Sequence, residues 1–548
     1  MGFSCIRSAS HRFFSGLVEF SIFAGAALTA AAAVKADDLA RTDQAVAGAI
    51  QVASGRDIFV REWLHNDPRA HGGDGLGPVF NDTSCVACHN LGGVGGGGPA
   101  NKNVEIVSSI SSVGTPVPAE PSAAGRFVRS MFGLGTGRAD QVNAEALRQF
   151  RDAERNRLAG VHPGFRAASS VVLHRFGVGA AYAAWRQQFT VEHQRFGVNF
   201  NRSQPAANIT DQDATPSVES DIKKLADAQQ EILRVRSELG NRESGRVVQV
   251  KQQLLTVSRR NATALFGAGL LDMIPDRAIE AGAGRQYAGF PEISGRVSRL
   301  KDGRIGRFGW KAQKATLYDF TMTACAVELG LNVPEHPQSG NPLEQDYKPA
   351  GFDLNQEECN ALVSYLKNLP RPEQRMPAAG GEDEYLAAGR AHFAAVGCAA
   401  CHAPSLGEVQ GVYSDLLVHD MGADLDDTGD YGAFIPDSAD EVEEPSLTTV
   451  DASPVTTEPG VNAPVGATQE ASVKIIGATR QEWRTPPLWG CRDSAPYMHD
   501  GRAETLEQAI AFHGGEGAGS AQRFFMLTPT ERQQVLAFLK TLVAPQAR

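Results

Sequence analysis

Two short runs in this 548-residue chain carry the side chains of a recognisable chemistry. One is Cys85-Val86-Ala87-Cys88-His89; the other is Cys398-Ala399-Ala400-Cys401-His402. C-x-x-C-H is the attachment sequence for c-type haem. Two cysteines three apart on one helical turn add to the two vinyl groups of one porphyrin. The adjacent histidine then lies under the iron as its proximal ligand. A redox dithiol needs C-x-x-C but has no use for the histidine, and it needs a thioredoxin-like strand–helix setting that neither run has. A zinc site would pair two such knuckles at close range, whereas these stand in opposite halves of the chain. The expected cofactors are therefore two covalently bound c-type haems, attached at Cys85, Cys88, Cys398 and Cys401, with His89 and His402 on the irons.

Such attachment is expected in an exported protein, and the N-terminus agrees. Arg7, His11 and Arg12 precede a mostly apolar run from Phe20 to Val34, and Val34-Lys35-Ala36 reads as a small-x-small cleavage site. This is the layout of a signal peptide over residues 1–36, predicting a periplasmic or otherwise exported protein. The run falls short of the roughly 20 residues that span a bilayer as a helix; an uncleaved anchor is the alternative. No later segment is apolar enough to serve as an integral membrane segment. With 42% hydrophobic and 21% charged residues, the chain has the material for real cores. Net charge is −11 and no basic block stands out, so nucleic-acid binding has no electrostatic footprint. Eight cysteines are too few for a disulfide scaffold at this length. Cys5 leaves with the signal, and Cys325, Cys359 and Cys491 remain outside the motifs, so at most one pair can close.

Around the motifs, the pattern predicts a mainly α fold: two cytochrome c-like haem domains with insertions. Residues 37–335 form the N-terminal haem domain, 336–381 a linker with a helix, and 382–548 the C-terminal cytochrome c domain. Helices are expected over Ala146–Arg155, Ala180–Gln188 and Tyr385–Val396. A helical insertion covers about 201–257, with 201–219 as a loop and Asp221–Val257 as a long polar helix, read as a solvated hairpin. An acidic, poorly ordered insertion covers about 422–471, within a stretch from Arg390 to Lys474 that has no Lys or Arg between its ends. The glycine run 92–98 follows a haem motif rather than a strand and lacks the P-loop lysine, so it is expected to let the chain pass close to the porphyrin. An internal repeat supports two related units. Arg260-Asn261 before Leu265-Phe266-Gly267 parallels Arg484-Thr485 before Leu488-Trp489-Gly490, and Thr316-Leu317 parallels Thr505-Leu506 in opening an apolar helix.

Longer stretches carry a family resemblance. Arg484-Thr485-Pro486-Pro487-Leu488-Trp489-Gly490, followed by Ala495-Pro496-Tyr497-Met498-His499-Asp500-Gly501, is similar to the C-terminal signature of bacterial di-haem cytochrome c peroxidases. More closely, the chain resembles the di-haem oxidoreductase family, also described as thiol-oxidoreductase-like. Further matching stretches are Gly72-Gly73-Asp74-Gly75-Leu76-Gly77-Pro78, Ala264 to Pro275, Gly306-Arg307-Phe308-Gly309-Trp310 and Tyr413 to Gly422. The two insertions fall outside the resemblance.

The resemblance implies that electrons enter at the second haem and leave to a small oxidant, with hydrogen peroxide as the candidate, at the first. A redox partner protein, a small cytochrome or cupredoxin-like donor, is implied as well. The sixth ligand of each iron decides this. Leu506, Ile510 and His513 share one helix face ahead of Gly514-Gly515, at the position where the related peroxidases place a distal methionine, so His402 and His513 imply a bis-His second haem. Met498 and His499 are rivals there, with His499 expected to bond a propionate or the backbone. At the first haem the repeat places Ala324 at the ligand position. Cys325, His71 and His174 are the other candidates, and an open site is the expectation. No acid-base carboxylate of the family could be matched. Trp310 or Trp489 is the candidate electron relay, and His419 a candidate propionate partner or ligand. Two alternatives stay open: a non-catalytic electron-transfer cytochrome or subunit of a redox complex, and a dithiol oxidoreductase.

Overall fold

The computed structural model describes residues 46–109, 153, 155–166, 168–190, 216–238, 246–251, 253–344, 346–375, 383–427, 429, 431 and 477–545. The signal segment, most of Ala146–Arg155, residues 201–215 and 432–471 lie outside them. The described chain is mainly helical, with one four-stranded sheet and several two-stranded pairs.

Helix α1 (46–60) leads into the first motif, whose cysteines form the one-turn helix α2 (Cys85–Cys88). The chain then builds a sheet from β1 (Val104–Ser109) and β2 (Ser170–Leu173), runs through helices α3 (Ala180–Arg186) and α4 (Pro216–Ser237), and returns as the hairpin β3 (Arg246–Val250) and β4 (Gln253–Arg260). Strand order is β2-β1-β4-β3, antiparallel throughout, with Ile106 between Val172 and Ser258. Val107, Val171, Leu173, Val248, Leu255 and Val257 cover one face and pack with Phe165, Trp185 and Phe189. Here the expected long helix to Val257 is corrected: it ends at Ser237. Val247, Val248, Val250, Thr256 and Val257 are β-branched and alternate in and out, a period-two pattern that a helix cannot satisfy. Helix α4 is also no solvated arm. Ala228, Ile232 and Val235 are buried in the second core, as the 3.6-residue period of its apolar positions requires.

Helices α5 (Leu317–Glu328) and α6 (Gln356–Lys367) complete the first core with α1. Helix α6 lies in the stretch read as linker, yet Cys359, Ala361, Leu362 and Leu366 are buried in that core. The second unit follows: α7 (Glu384–Ala395), α8 (Cys398–Cys401), the paired strands β5 (Val418–Asp420) and β6 (Glu482–Arg484), then α9 (Leu506–Ala511), α10 (Ala518–Met526) and α11 (Pro529–Leu539). Residues 422–427, 429 and 431, assigned to the acidic insertion, are packed instead: Trp483 Nε1 donates to the Leu425 carbonyl, and Asp427 pairs with buried Arg260 at 2.8 Å.

The two units repeat one another in detail. A Cβ on Gly55 of α1 would stand 1.9 Å from the Ala361 carbonyl oxygen of α6, and one on Gly389 of α7 would stand 2.0 Å from the Gln534 oxygen of α11. In each unit the helix before the haem motif and the last helix therefore cross at a glycine. Gly267 and Gly490 both adopt left-handed backbone, at φ 73°. Thr316 and Thr505 both cap their helices, accepting hydrogen bonds from the Asp319 and Gln508 amides.

Candidate haem centres

At the second centre, α8 ends at His402, and its ring Nδ1 lies 3.0 Å from the Tyr413 carbonyl oxygen. A carbonyl only accepts, so Nδ1 carries the proton and the Nε2 lone pair is left available. The chain leaves α9 at Phe512, and the His513 Nδ1 likewise donates to the Ala509 carbonyl at 2.9 Å. The two imidazole centroids stand 6.4 Å apart with planes inclined at 59°. Nitrogens each about 2 Å from one metal would put the centroids roughly 6 Å apart, so the pair matches one metal between them. Burial, together with the facing His513, lowers the His402 pKa to about 4, and burial lowers that of His513. Both rings are held neutral, as ligands must be. Helix α4 supports this turn: Arg236 donates to the Ala511 carbonyl at 2.6 Å, a cation at the C-terminus of α9.

At the first centre, His89 repeats the pattern, its Nδ1 donating to the Gly96 carbonyl at 3.1 Å. The glycine run thus folds back to orient the proximal histidine; a Cβ on Gly96 would stand 1.7 Å from the Leu91 oxygen. Opposite His89 the parallel ends. Among the described residues no second imidazole lies against it, and its ring neighbour is Phe59 at 6.4 Å. His71 bonds Glu358 at 2.6 Å, and His174 donates to the Val327 carbonyl at 2.8 Å. Cys325 is buried in α5. At the end of that helix stands Glu328, within electrostatic reach of Cys85 and Cys88, hydrogen-bonded by the Asn81 amide at 2.7 Å and by the Tyr431 hydroxyl. Burial lifts its carboxyl above the usual range, and nearby Asp82 adds to the lift. Sequence reasoning did not single out this carboxylate. Its only signal was an acid closing the apolar last turns, Ala324 to Val327, of that helix.

Other candidate side chains have partners within the protein. His419 has both ring nitrogens on carboxylates, Nε2 to Asp415 at 3.0 Å and Nδ1 to Glu516 at 2.8 Å, so it has no lone pair for iron. Burial would lower its pKa, but these partners raise it, and it stands as an imidazolium 3.6 Å from Cys401 Sγ. Gly295 must be glycine here, since a Cβ would sit 2.5 Å from the His419 ring. His499 stacks on Trp483 at 3.7 Å and 14° and faces Asp427. Trp489 is core, packed on Gly267.

Trp310 lies in a continuous path between the motifs. Gly98 accepts from the Asn261 amide, the Asn261 carbonyl accepts from Trp310 Nε1, and Trp310 meets His499 edge-on at 6.4 Å. Beyond lie Trp483 and its cross-strand partner His419, which reaches Cys401. Trp483 was not foreseen.

The residues present fit haem. Each motif offers two cysteines on one helical turn and a neutral histidine with its second nitrogen fixed. All seven described cysteines are free thiols. Burial pushes Cys85 and Cys398 up to about 12, the opposite of what a thiolate-based dithiol enzyme needs. No helix among the described residues is long and apolar enough to cross a membrane.

Comparison with known proteins agrees. The family model described as "Di-haem oxidoreductase, putative peroxidase" matches residues 471–542. A cytochrome-c peroxidase, IdrP2, from Pseudomonas sp. (strain SCT) is 29% identical over 150 residues, which are 27% of this chain and 36% of that protein. Its namesake from Denitromonas iodatirespirans is 29% identical over 149 residues, with the same shares. The match thus spans about a third of these relatives' length. Among solved structures, Kuenenia stuttgartiensis hydrazine synthase aligns at 18% identity over 52% of this chain and 73% of its own, with a TM-score of 0.27. A MauG-like protein associated with microbial copper homeostasis aligns at 16% over 50% and 90%, with a TM-score of 0.22. Superpositions that poor define no common fold. The segment that carries His513, α9, α10 and α11 is the one matched, and over it the chain resembles the di-haem oxidoreductase, peroxidase-like family.

Proposed function

We propose that this protein is an exported di-haem c-type oxidoreductase that takes electrons from a small cytochrome or cupredoxin-like donor and delivers them to a small oxidant, hydrogen peroxide being the first to test. The supporting observation is the asymmetry of the two centres: His402 faces a second imidazole and, among the described residues, His89 does not. Cys85, Cys88 and His89 would hold one haem, and Cys398, Cys401, His402 and His513 the other. When bound, haem supplies reversible one-electron storage at both centres and a coordination position for the oxidant at the first.

The chain's own residues then divide the work. Tyr413 and Ala509 hold the second-centre imidazoles in the ligand tautomer, and Gly96 does so for His89. His419 keeps a positive charge beside Cys401. Trp310 meets His499 edge-on and His499 stacks on Trp483, an aromatic run between the first motif's glycine loop and the second motif's side of the molecule. Glu328, its carboxyl pushed upward by burial, is the candidate to hold and release a proton to a small oxidant at the first centre. The test is steady-state oxidation of a reduced small cytochrome by peroxide. The holoprotein should turn over, and Glu328→Gln should lose about a hundredfold or more in rate with haem content unchanged. A variant as fast as wild type would remove Glu328 from the reaction; a holoprotein without turnover would leave an electron carrier.

A further inference from the structure

The stretch Gly72 to Pro78 belongs to the family resemblance, yet neither haem centre uses it. It runs between α1 and the first motif and carries Asp74 inward, 7% exposed. Asp74 Oδ2 accepts hydrogen bonds from the Gln338 side-chain amide at 3.1 Å and from the Tyr347 hydroxyl at 2.5 Å. Its Oδ1 is buried with no hydrogen-bond partner among the described residues. So is Oε1 of Gln338, itself 7% exposed, on the same amide group whose nitrogen binds the carboxylate. Two acceptor oxygens are thus buried unpaired on one amide–carboxylate contact, where each is costly.

The charge is unanswered too. A second carboxylate, Asp353 just before α6, is fully buried and within electrostatic reach of Asp74. Its oxygens accept from the backbone amides of Gly75 and Asn332, each at 2.6 Å. The loop presses on it: a Cβ on Gly73 would stand 2.2 Å from Asp353 Oδ1. Burial, with Asp74 and Asp67 adding repulsion, raises the Asp353 carboxyl to about 6. Among the described residues neither Asp74 nor Asp353 has a cationic partner, whereas neighbouring Asp67 is paired with Arg69 at 2.5 Å.

A water molecule would satisfy the two acceptors and leave the charge where it is; a cation does both. The two unpaired atoms and the carboxylate behind them are all oxygens, which selects a hard ion over zinc or copper. Neutral amide oxygen on irregular loops suits calcium, whereas magnesium demands a near-ideal octahedron. We propose that Asp74 and Gln338, backed by the charge of Asp353, bind a calcium-like divalent cation. Bound there, the ion ties the loop ahead of the first motif to the segments that follow α5 and precede α6. The site does not depend on the haem assignment.

The haem-loaded protein, freed of loosely held metal with a chelator, is titrated with calcium chloride by calorimetry, with magnesium chloride as the comparison. Saturable calcium binding, weaker magnesium binding and a calcium-dependent rise in the unfolding midpoint are expected. Asp74→Asn should weaken calcium at least about tenfold, and Gln338→Glu, which adds a charge while keeping an oxygen in place, should tighten it. Calcium held elsewhere on a chain of net charge −11 would ignore both substitutions. Circular dichroism checks that each variant is folded, and Gln338→Glu alone decides the matter if Asp74→Asn is not. No saturable binding, or binding that neither substitution moves, would overturn the proposal. So would magnesium held more tightly than calcium.

Discussion

His402 and His513 come from segments more than a hundred residues apart, yet the same device prepares both: a backbone carbonyl takes the Nδ1 proton and leaves Nε2 free. Replacing His513 by Ala should turn the second centre from low-spin to high-spin in the optical spectrum of the loaded protein, and added imidazole should restore it. A spectrum unchanged by the substitution would place the sixth ligand elsewhere. Glu516 gives a pH signature. Burial alone would raise its pKa, but His419 and the amides of Ser294 and Asp420 pull it down to about 2 from the usual 4.5. A carboxylate lowered in the folded state stabilises above its unfolded value and loses that contribution as pH falls through the folded one. Glu516→Gln should therefore cost about 2–3 kcal/mol in chemical denaturation at pH 7, with the deficit shrinking below pH 4.5 and vanishing near pH 2. A deficit independent of pH would mean that the carboxylate's charge is idle. His513 was legible in sequence because its cue is local: helical spacing to Leu506 and Ile510 and a glycine pair after it. Glu328, Trp483 and the His419 clamp were not. Asn81, Tyr431, Asp415 and Glu516 meet them only after distant segments pack, and no local period encodes that.

Helix crossings set the positions of the motifs, and two glycines set the crossings. Alanine normally stabilises a helix interior by roughly 0.5–1 kcal/mol over glycine. At Gly389 the sign should reverse, since the added methyl meets the Gln534 backbone of α11 at 2.0 Å. Gly389→Ala should lose about 1–3 kcal/mol in guanidinium unfolding, as overpacking does. A gain in stability would refute the crossing. The sequence already held this signal as a repeat, Gly55-Arg56-x-x-Phe59 and Gly389-Arg390-x-x-Phe393. Thr316 and Thr505 were legible because capping is chemistry of a few neighbouring residues. The stretch 246–260 was misread because Leu254 and Leu255 happen to fall near helical spacing from Val248, while the β-branched alternation around them decides the structure. Helix α4 looked solvated because only Ala228, Ile232 and Val235, a narrow stripe, are buried on the second core.

At the scale of the molecule, two copies of one plan have diverged. Both carry a helix crossing at glycine, a motif with its histidine fixed by a carbonyl, a left-handed glycine at φ 73° and a threonine-capped helix. The second copy adds His513, supported by Arg236 of α4. The first puts Cys325 and Glu328 on the corresponding helix. In the proposed function one copy holds electrons and the other hands them on. Low-temperature EPR of the fully oxidised, haem-loaded protein tests that division directly. The account predicts one low-spin bis-imidazole signal and one high-spin ferric signal, the latter alone shifting when a small ligand such as fluoride is added. Two low-spin signals, neither moved by the ligand, would contradict it.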